Sequence, residues 1–236
     1  MLFLHETHAV IGSREDEFEA LLRDQWLPAL GHSSGARLLY FLKHAHGTGI
    51  SYRVVTITAL ADANAWQELV ESVDGGALRP LAERLDGLRH DVEAKMLIPL
   101  PWSPLQALPL EEVPTSAGSH ETTVFMEDTV WPEEGCLERY VEAAGAHYAR
   151  EMAERGRAQQ AILSVDAAFR TAFGSGRRRE VVLWQKLLRP EALDPLVRRE
   201  VPERYRKPGM WMHDALALRD QWESRLLRAV AWSPLS

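Results

Sequence analysis

The chain repeats itself, and the register of that repeat limits what it can fold into. Gly47-Thr48-Gly49, then Val54-Val55, Leu60, Ala65 and Leu69-Val70, return as Gly174-Ser175-Gly176, Val181-Val182, Leu187, Ala192 and Leu196-Val197. Members of each pair stand 127 positions apart (174 − 47). Pro101-Trp102-Ser103-Pro104-Leu105 returns as Ala231-Trp232-Ser233-Pro234-Leu235, 130 apart (232 − 102). An offset held across a glycine loop, a strand and a helix marks a duplicated domain. Two such domains on one chain make an internal pseudo-dimer, with function at the seam or in one specialised half.

Each half reads as strand, helix, strand, strand, helix, strand. Leu2 to Val10 is β-compatible, and Ser13 is placed to cap a helix with Asp16 three positions on. Phe18, Leu21, Leu22, Trp26 and Leu30 recur at helical spacing. Arg37–His46 and Ile50–Leu60 flank the glycine loop as a hairpin. A second helical region carries Trp66, Leu69, Val70, Val73, Leu78, Leu81 and Leu85, broken at Gly75-Gly76, and Val92–Leu100 makes the last strand. The second half runs through a strand at Thr122–Val130, a helix at Cys136–Met152, and a hairpin of Ala161–Phe173 with Glu180–Leu187. A helical stretch then starts near Pro190, and a final strand covers Leu226–Trp232. Domains are therefore expected at 1–105 and 121–236, with residues 106–120, rich in Pro, Glu, Ser and Gly, as the linker. A βαββαβ order is the ferredoxin-like α+β pattern, with helices on one sheet face only. Two such sheets face to face cover the bare surfaces and enclose a barrel.

At 236 residues the chain suffices for two domains of ordinary size. A net charge of −7 argues against nucleic acid as a partner, which needs a clustered basic face. Arg177-Arg178-Arg179 is the one compact basic run, and it sits in a predicted turn. The single Cys136 excludes an intramolecular disulfide and fits a reducing compartment. With no apolar run near the roughly 20 residues of a membrane span and no signal-peptide order at the N-terminus, the expected location is the cytoplasm.

The duplicated order and the His44-Ala45-His46-Gly47-Thr48-Gly49 hairpin resemble the dimeric α/β-barrel superfamily. That group holds stress-response barrels, NIPSNAP-type proteins, antibiotic-biosynthesis monooxygenases and chlorite dismutase relatives. More narrowly, Ala36 through Leu60, Arg89-His90-Asp91-Val92-Glu93-Ala94-Lys95 and Pro101-Trp102-Ser103-Pro104-Leu105 are similar to ring-opening oxygenases of angucycline biosynthesis. This resemblance implies O₂ chemistry on a polycyclic aromatic polyketide, with reduced flavin as a co-substrate and a flavin reductase as partner. No dinucleotide or phosphate-loop fingerprint accompanies it. A non-catalytic small-molecule carrier of the stress-response or NIPSNAP type is the alternative, and a haem enzyme a further one. A homodimer through outer sheet edges is compatible with each.

Six of nine histidines lie in the first half: His5, His8, His32, His44, His46 and His90. Strand alternation puts His44 and His46 on one face with Tyr40 and Leu42. Thr171 and Phe173 stand at their equivalents, so one half alone keeps the pair. Phenol oxygenation without a metal needs a base and donors for oxyanion charge. His44 or His46 is the expected base, with Tyr52 and Arg53 as catalytic partners and Tyr40 positioning substrate. His-x-His with His5, His8 or His90 as third ligand is the one metal pattern, but no carboxylate or Cys supports it, and no bound metal is expected. For haem, only His147 and His213 are on offer in the second half. Glu6, matched 121 positions on by Glu127, reads as structural. Trp26, Trp66 and Trp222 fall on helix stripes and read as core, Trp102 and Trp232 as packing. Trp131, Trp184, Trp211, Met212 and His213 have no first-half aromatic or histidine counterpart and are expected in a substrate pocket, with Pro202–Met210 as a lid or a surface loop.

Overall fold

The computed structural model describes residues 1–33, 35–175, 178–189, 191, 194, 200 and 202–236. Gly176, Arg177, Pro190, Ala192, Leu196 and Val197, which carried parts of the repeat, the basic run and the expected helix start, lie outside the described residues. The chain divides into two compact units that do not coincide with its sequence halves. Unit 1 comprises residues 1–98, 107–124 and 226–236; unit 2 comprises 99–106 and 125–225. Both are α+β, with helices on antiparallel sheet. Among the described residues, no helix is long and apolar enough to cross a membrane.

In unit 1, β1 (Leu2–Val10) lies between β3 (Arg53–Leu60) and β4 (Arg89–Pro99), antiparallel to both. β3 pairs in turn with β2 (Ala36–His44), and β2 with the end of β8 (Arg219–Ala229), through Leu42↔Ala229, Lys43↔Arg228 and His44↔Leu227. Alternation along β1 sends Leu2, Leu4 and Val10 into the helix-facing core, while Phe3, His5 and Thr7 are buried on the opposite face. The helical layer begins with α1 (Glu15–Leu21), passes through a π-helical segment (Leu22–Trp26) and ends in α2 (Leu27–Gly31). Phe18, Leu21, Leu22, Leu27 and Leu30 bury its apolar stripe, as their spacing predicts. Ser13 does not cap this helix. It sits in a 3-10 turn (Gly12–Arg14) without a side-chain cap, and Arg14 pairs with Glu17 instead. The true cap belongs to α3 (Ala63–Asp74), where Asp62 Oδ1 accepts from the Ala65 amide at 3.0 Å. Gly75 ends that helix, and α4 (Arg79–Asp86) follows.

Unit 2 repeats the plan in detail. β5 (Val124–Pro132) shows the burial pattern of β1 residue for residue. β6 (Leu163–Thr171) and β7 (Val181–Leu187) pair with a register slip between Val165 and Ala167; β2 and β3 slip between Leu38 and Tyr40, 127 positions earlier. A π-helical segment (Ala144–Ala149) interrupts α5 (Leu137–Ala143) and α6 (Arg150–Arg157), as one interrupts the first unit's helix. Several strand boundaries differ from expectation, three of them with consequences for the residues singled out. β2 stops at His44 and β3 starts at Arg53, so His46 and Tyr52 belong to the turn. β8 begins at Arg219, which puts Trp222 on a strand, 43% exposed, with the Arg219 guanidinium 4.2 Å above its ring rather than on a buried helix stripe.

The duplicated Trp-Ser segments explain the mismatch between halves and units, because each packs in the unit to which its own half contributes less. Ser103 Oγ accepts from the Ala168 amide at 3.0 Å, and Trp102 Nε1 donates to the Val141 carbonyl at 3.0 Å, both inside unit 2. In unit 1, Ser233 Oγ accepts from the Phe41 amide at 3.1 Å, and Trp232 Nε1 donates to Glu19 at 2.8 Å. Phe41 and Ala168 are again 127 apart (168 − 41). Each serine satisfies a buried strand amide that would otherwise cost a hydrogen bond. Trp232 is 6% exposed and packs on Phe41 with ring centroids 4.9 Å apart. Trp232→Ala is therefore expected to cost about 3–5 kcal/mol, measurable as a lowered urea midpoint with unchanged slope. A loss below 1 kcal/mol would remove the tail from the core.

Candidate active site

A cavity beside titratable groups lies in unit 1, between its sheet and its helices. It measures about 220 Å³. β1 supplies the floor with Leu4, Glu6 and His8, whose alternation puts two polar groups on an otherwise apolar core face. Thr56 stands opposite Glu6 on β3 and Ala94 opposite it on β4. The walls are apolar: Trp26 comes from the π segment, Trp66 and Leu69 from α3. A π segment widens the helix by one residue per turn and recurs at functional sites.

The polar floor is a directed chain of hydrogen bonds. Arg89 Nη1 lies 2.7 Å from His8 Nδ1, and a guanidinium only donates, so Nδ1 accepts. His8 therefore carries its proton on Nε2 and donates it to Thr56 Oγ1 at 3.0 Å. The Thr56 hydroxyl donates onward to Glu6 Oε2 at 3.4 Å. Asp86 holds Arg89 from outside, at 2.5 Å. Burial, then the Arg89 charge, pushes His8 down to about 3, so its imidazole is neutral at any working pH. Burial pushes the Glu6 carboxyl above its ordinary 4.5, against the opposing pull of Arg89 and Thr56. A desolvated carboxylate with a raised pKa, facing an aromatic-walled cavity, is suited to take a proton from a weakly acidic ligand.

Unit 2 carries different residues at the matching positions of its first strand and helix. β1 and β5 align at 122 positions (125 − 3), matching Phe3 with Phe125, Glu6 with Asp128 and His8 with Val130. The counterpart of Glu6 is thus Asp128, not Glu127. Arg219 follows Arg89 by 130, and Tyr148 follows Trp26 by 122. The Tyr148 hydroxyl donates to Gln185, whose Nε2 donates to Asp128 at 2.8 Å. Trp211, the counterpart of Leu81, packs on Tyr140 and Tyr148 with ring centroids 5.6 and 6.1 Å apart. A carboxylate and an arginine persist there, but the histidine does not.

The residues singled out from sequence fall elsewhere. His44, His46, Tyr52 and Arg53 come together, but around an open hollow at the β2–β3 turn. Tyr40 is buried in β2 at 4% exposure. Trp184 is a core residue at 1% exposure, its Nε1 donating to Glu127 at 3.0 Å. Trp131 donates to Glu180 at 3.2 Å. Trp211, Met212 and His213 share a short helix (Trp211–Asp214), with His213 against Asp214 at 2.9 Å and Trp211 on a groove in unit 2. Trp26 and Trp66, expected as core, wall the cavity instead, and Trp66 is 36% exposed. Glu6, expected as structural, and His8, expected at most as a third metal ligand, instead line the cavity on the face of Leu2, Leu4 and Val10. Among the described residues no group of three or more His, Cys, Asp or Glu is placed to hold a metal ion.

No protein-family model matches the sequence, and no curated protein matches it. Solved structures do. The chain is similar to a Lactobacillus acidophilus NCFM protein described as a "putative monooxygenase", with a TM-score of 0.61 and 10% identity over 97% of each chain. It is similar to an anthrone oxidase-like protein at TM-score 0.55 and 10% identity, over 97% of this chain and 91% of that one. Chlorite dismutase from Candidatus Nitrospira defluvii follows at 0.52 and 7% identity, over 97% and 90%. At such identities the likeness is one of fold.

Proposed function

We propose that this chain is an oxygenase acting on a small planar aromatic with an acidic C–H or O–H, Glu6 serving as the base. The observation that carries the reading is the half-buried Glu6 carboxyl at the floor of a cavity walled by Trp26 and Trp66, where desolvation favours its protonated form. Proton removal leaves an electron-rich carbanion or phenolate, which O₂ attacks by accepting its electrons. A new C–O bond forms, and loss of water from the hydroperoxide converts CH₂ and O₂ into C=O and H₂O with no outside reductant. The fold shared with an anthrone oxidase-like protein is consistent with such chemistry.

In its finer form, the proposal takes the substrate to be a polycyclic polyketide opened at one ring, as in angucycline biosynthesis. That reaction sends one oxygen atom of O₂ to water, so it needs two electrons from reduced flavin. The 220 Å³ cavity falls below the roughly 300–1,000 Å³ usual for drug-sized ligands. A four-ring substrate would thus require the helix layer to move. The matching register slips and π segments also support descent of both units from one duplicated βαββαβ element.

Oxygen uptake with anthrone and with an angucycline precursor, each with and without a flavin reductase system, tests both forms. One O₂ per anthrone without flavin is expected for the simpler reaction. Flavin-dependent uptake with the larger substrate supports ring opening. Ligand binding without any oxygen uptake would leave a carrier, and the oxygenase reading would fall.

A further inference from the structure

Glu6 is held more loosely than its counterpart in unit 2. Asp128 accepts from two side chains, the Ser224 hydroxyl and Gln185 Nε2, the latter at 2.8 Å. Gln185 Oε1 in turn accepts from the Tyr148 hydroxyl. In unit 1, Ala94 stands where Ser224 does (224 − 94 = 130), Thr58 where Gln185 does (185 − 58 = 127), and Trp26 where Tyr148 does. The strand registers agree: Leu4 pairs with Thr58 as Met126 pairs with Gln185, each two residues before its carboxylate. Both donors that hold Asp128 are thus replaced in unit 1. Among the described residues Glu6 accepts one hydrogen bond, from Thr56 at 3.4 Å, although a carboxylate has room for about four.

Thr58 shares the cavity face of β3 with Thr56, two residues before it. It is 3% exposed, and its hydroxyl has no hydrogen-bond partner among the described residues. A buried hydroxyl left unpaired is costly, and valine would give the same shape without that cost. Threonine ends at its γ atoms, so nothing on β3 corresponds to the Gln185 amide. Thr58, Glu6, Ala94 and Trp26, the four residues standing where that amide's surroundings stand in unit 2, all line the 220 Å³ cavity. An acceptor with room for donors and an unpaired hydroxyl therefore face one enclosed space, beside an indole ring.

We propose that a phenolic or enolic O–H of the substrate takes the place of the missing amide, donating to Glu6 while its oxygen accepts from the Thr58 hydroxyl. The inference rests on the oxygenase reading and narrows it, from an acidic C–H or O–H to an O–H; a ketone with an acidic CH₂ qualifies through its enol. Glu6 takes the proton. The O–H bond breaks, its electron pair stays on oxygen, and the Thr58 hydroxyl and the newly protonated Glu6 both donate to the developing charge. With the ring against Trp26, that charge spreads to the carbons ortho and para to the oxygen, where O₂ attacks.

Anaerobic calorimetric titration of the full chain with naphthol and with its methyl ether reads binding apart from turnover. Naphthol is expected to bind at least about tenfold more tightly than the ether. Thr58→Val, which exchanges the hydroxyl for a methyl, should weaken naphthol by about tenfold, leave the ether within about twofold, and melt no lower than the parent chain. Thr58→Gln should seat its amide on Glu6 as Gln185 seats its own on Asp128, and so abolish naphthol binding without loss of Tm. The proposal is overturned if the ether matches naphthol, if Thr58→Val keeps parental affinity, or if Thr58→Gln binds as the parent does. A lower Tm in Thr58→Val would mean that the hydroxyl already has its partner in the fold, with the same consequence. Oxygen uptake separates this outcome from the wider reading. Equal uptake with an O-methylated substrate would leave the oxygenase and remove the O–H; the expected binding pattern without uptake from any substrate would leave the phenol site and remove the oxygenase.

Discussion

Glu6→Gln should abolish most oxygen-dependent turnover, by about 10²–10⁴-fold in kcat, while ligand affinity stays within a few-fold. Glutamine keeps the length and the acceptor that the Thr56 hydroxyl uses, so the cavity wall is preserved. What it removes is the carboxylate at the cavity floor that would take the proton. Stability should move the other way. Because burial raises the Glu6 carboxyl above 4.5, its contribution to folding is fully present below that value and is lost as pH rises through the folded pKa. Glutamine does not titrate, so at neutral and alkaline pH the variant should melt higher than the parent chain. Loss of kcat together with a gain in Tm is the signature of a base held at a cost to the fold. A variant that turns over normally would exclude Glu6 from the chemistry, whatever its melting temperature.

How far the sequence discloses such a site depends on which physical signal each part leaves. The order of strands and helices is legible because strand alternation, helical spacing and the Gly47 and Gly174 loops are local patterns, and β1 begins and ends where they place it. The slips at Leu38/Tyr40 and Val165/Ala167 are not local: the run from Leu38 to Leu42 is apolar throughout and reads equally well in either phase. The first slip precedes Tyr40, so Tyr40, Leu42 and His44 keep the common face that alternation gives them, and only His46 leaves it, because β2 ends at His44. Trp222 shows the converse error, since a short amphipathic run fits a helix and a strand alike. The π segments leave no composition signal, though they hold Trp26 and Tyr148 at matching positions. Glu6 and His8 were legible in principle, as two polar residues on the face of Leu2, Leu4 and Val10. What makes them a site is the space above them, and space is a property of packing.

Acid should expose the second member of the floor. His8 is held neutral, with its pKa at about 3 instead of 6.5, by burial first and by Arg89 second. A depressed folded pKa contributes stability that is present above 6.5 and is lost as pH falls from there toward 3. Protonation of the unfolded chain alone is therefore expected to cost the parent roughly 3 kcal/mol at pH 4 and approaching ~5 kcal/mol near pH 3. His8→Gln provides the reference, because its amide oxygen accepts from Arg89 and its amide nitrogen donates to Thr56 without titrating. Urea unfolding of the two chains at pH 7 and pH 4 isolates the term, since Glu6 and every other carboxylate cancels in the difference. The parent should lose about 3 kcal/mol more than the variant over that interval. Equal losses would mean that His8 is already free to protonate in the folded state. In that event Nδ1 does not accept from Arg89, the directed chain from Arg89 through Thr56 to Glu6 is broken, and Glu6 has no fixed donor to orient it toward the cavity.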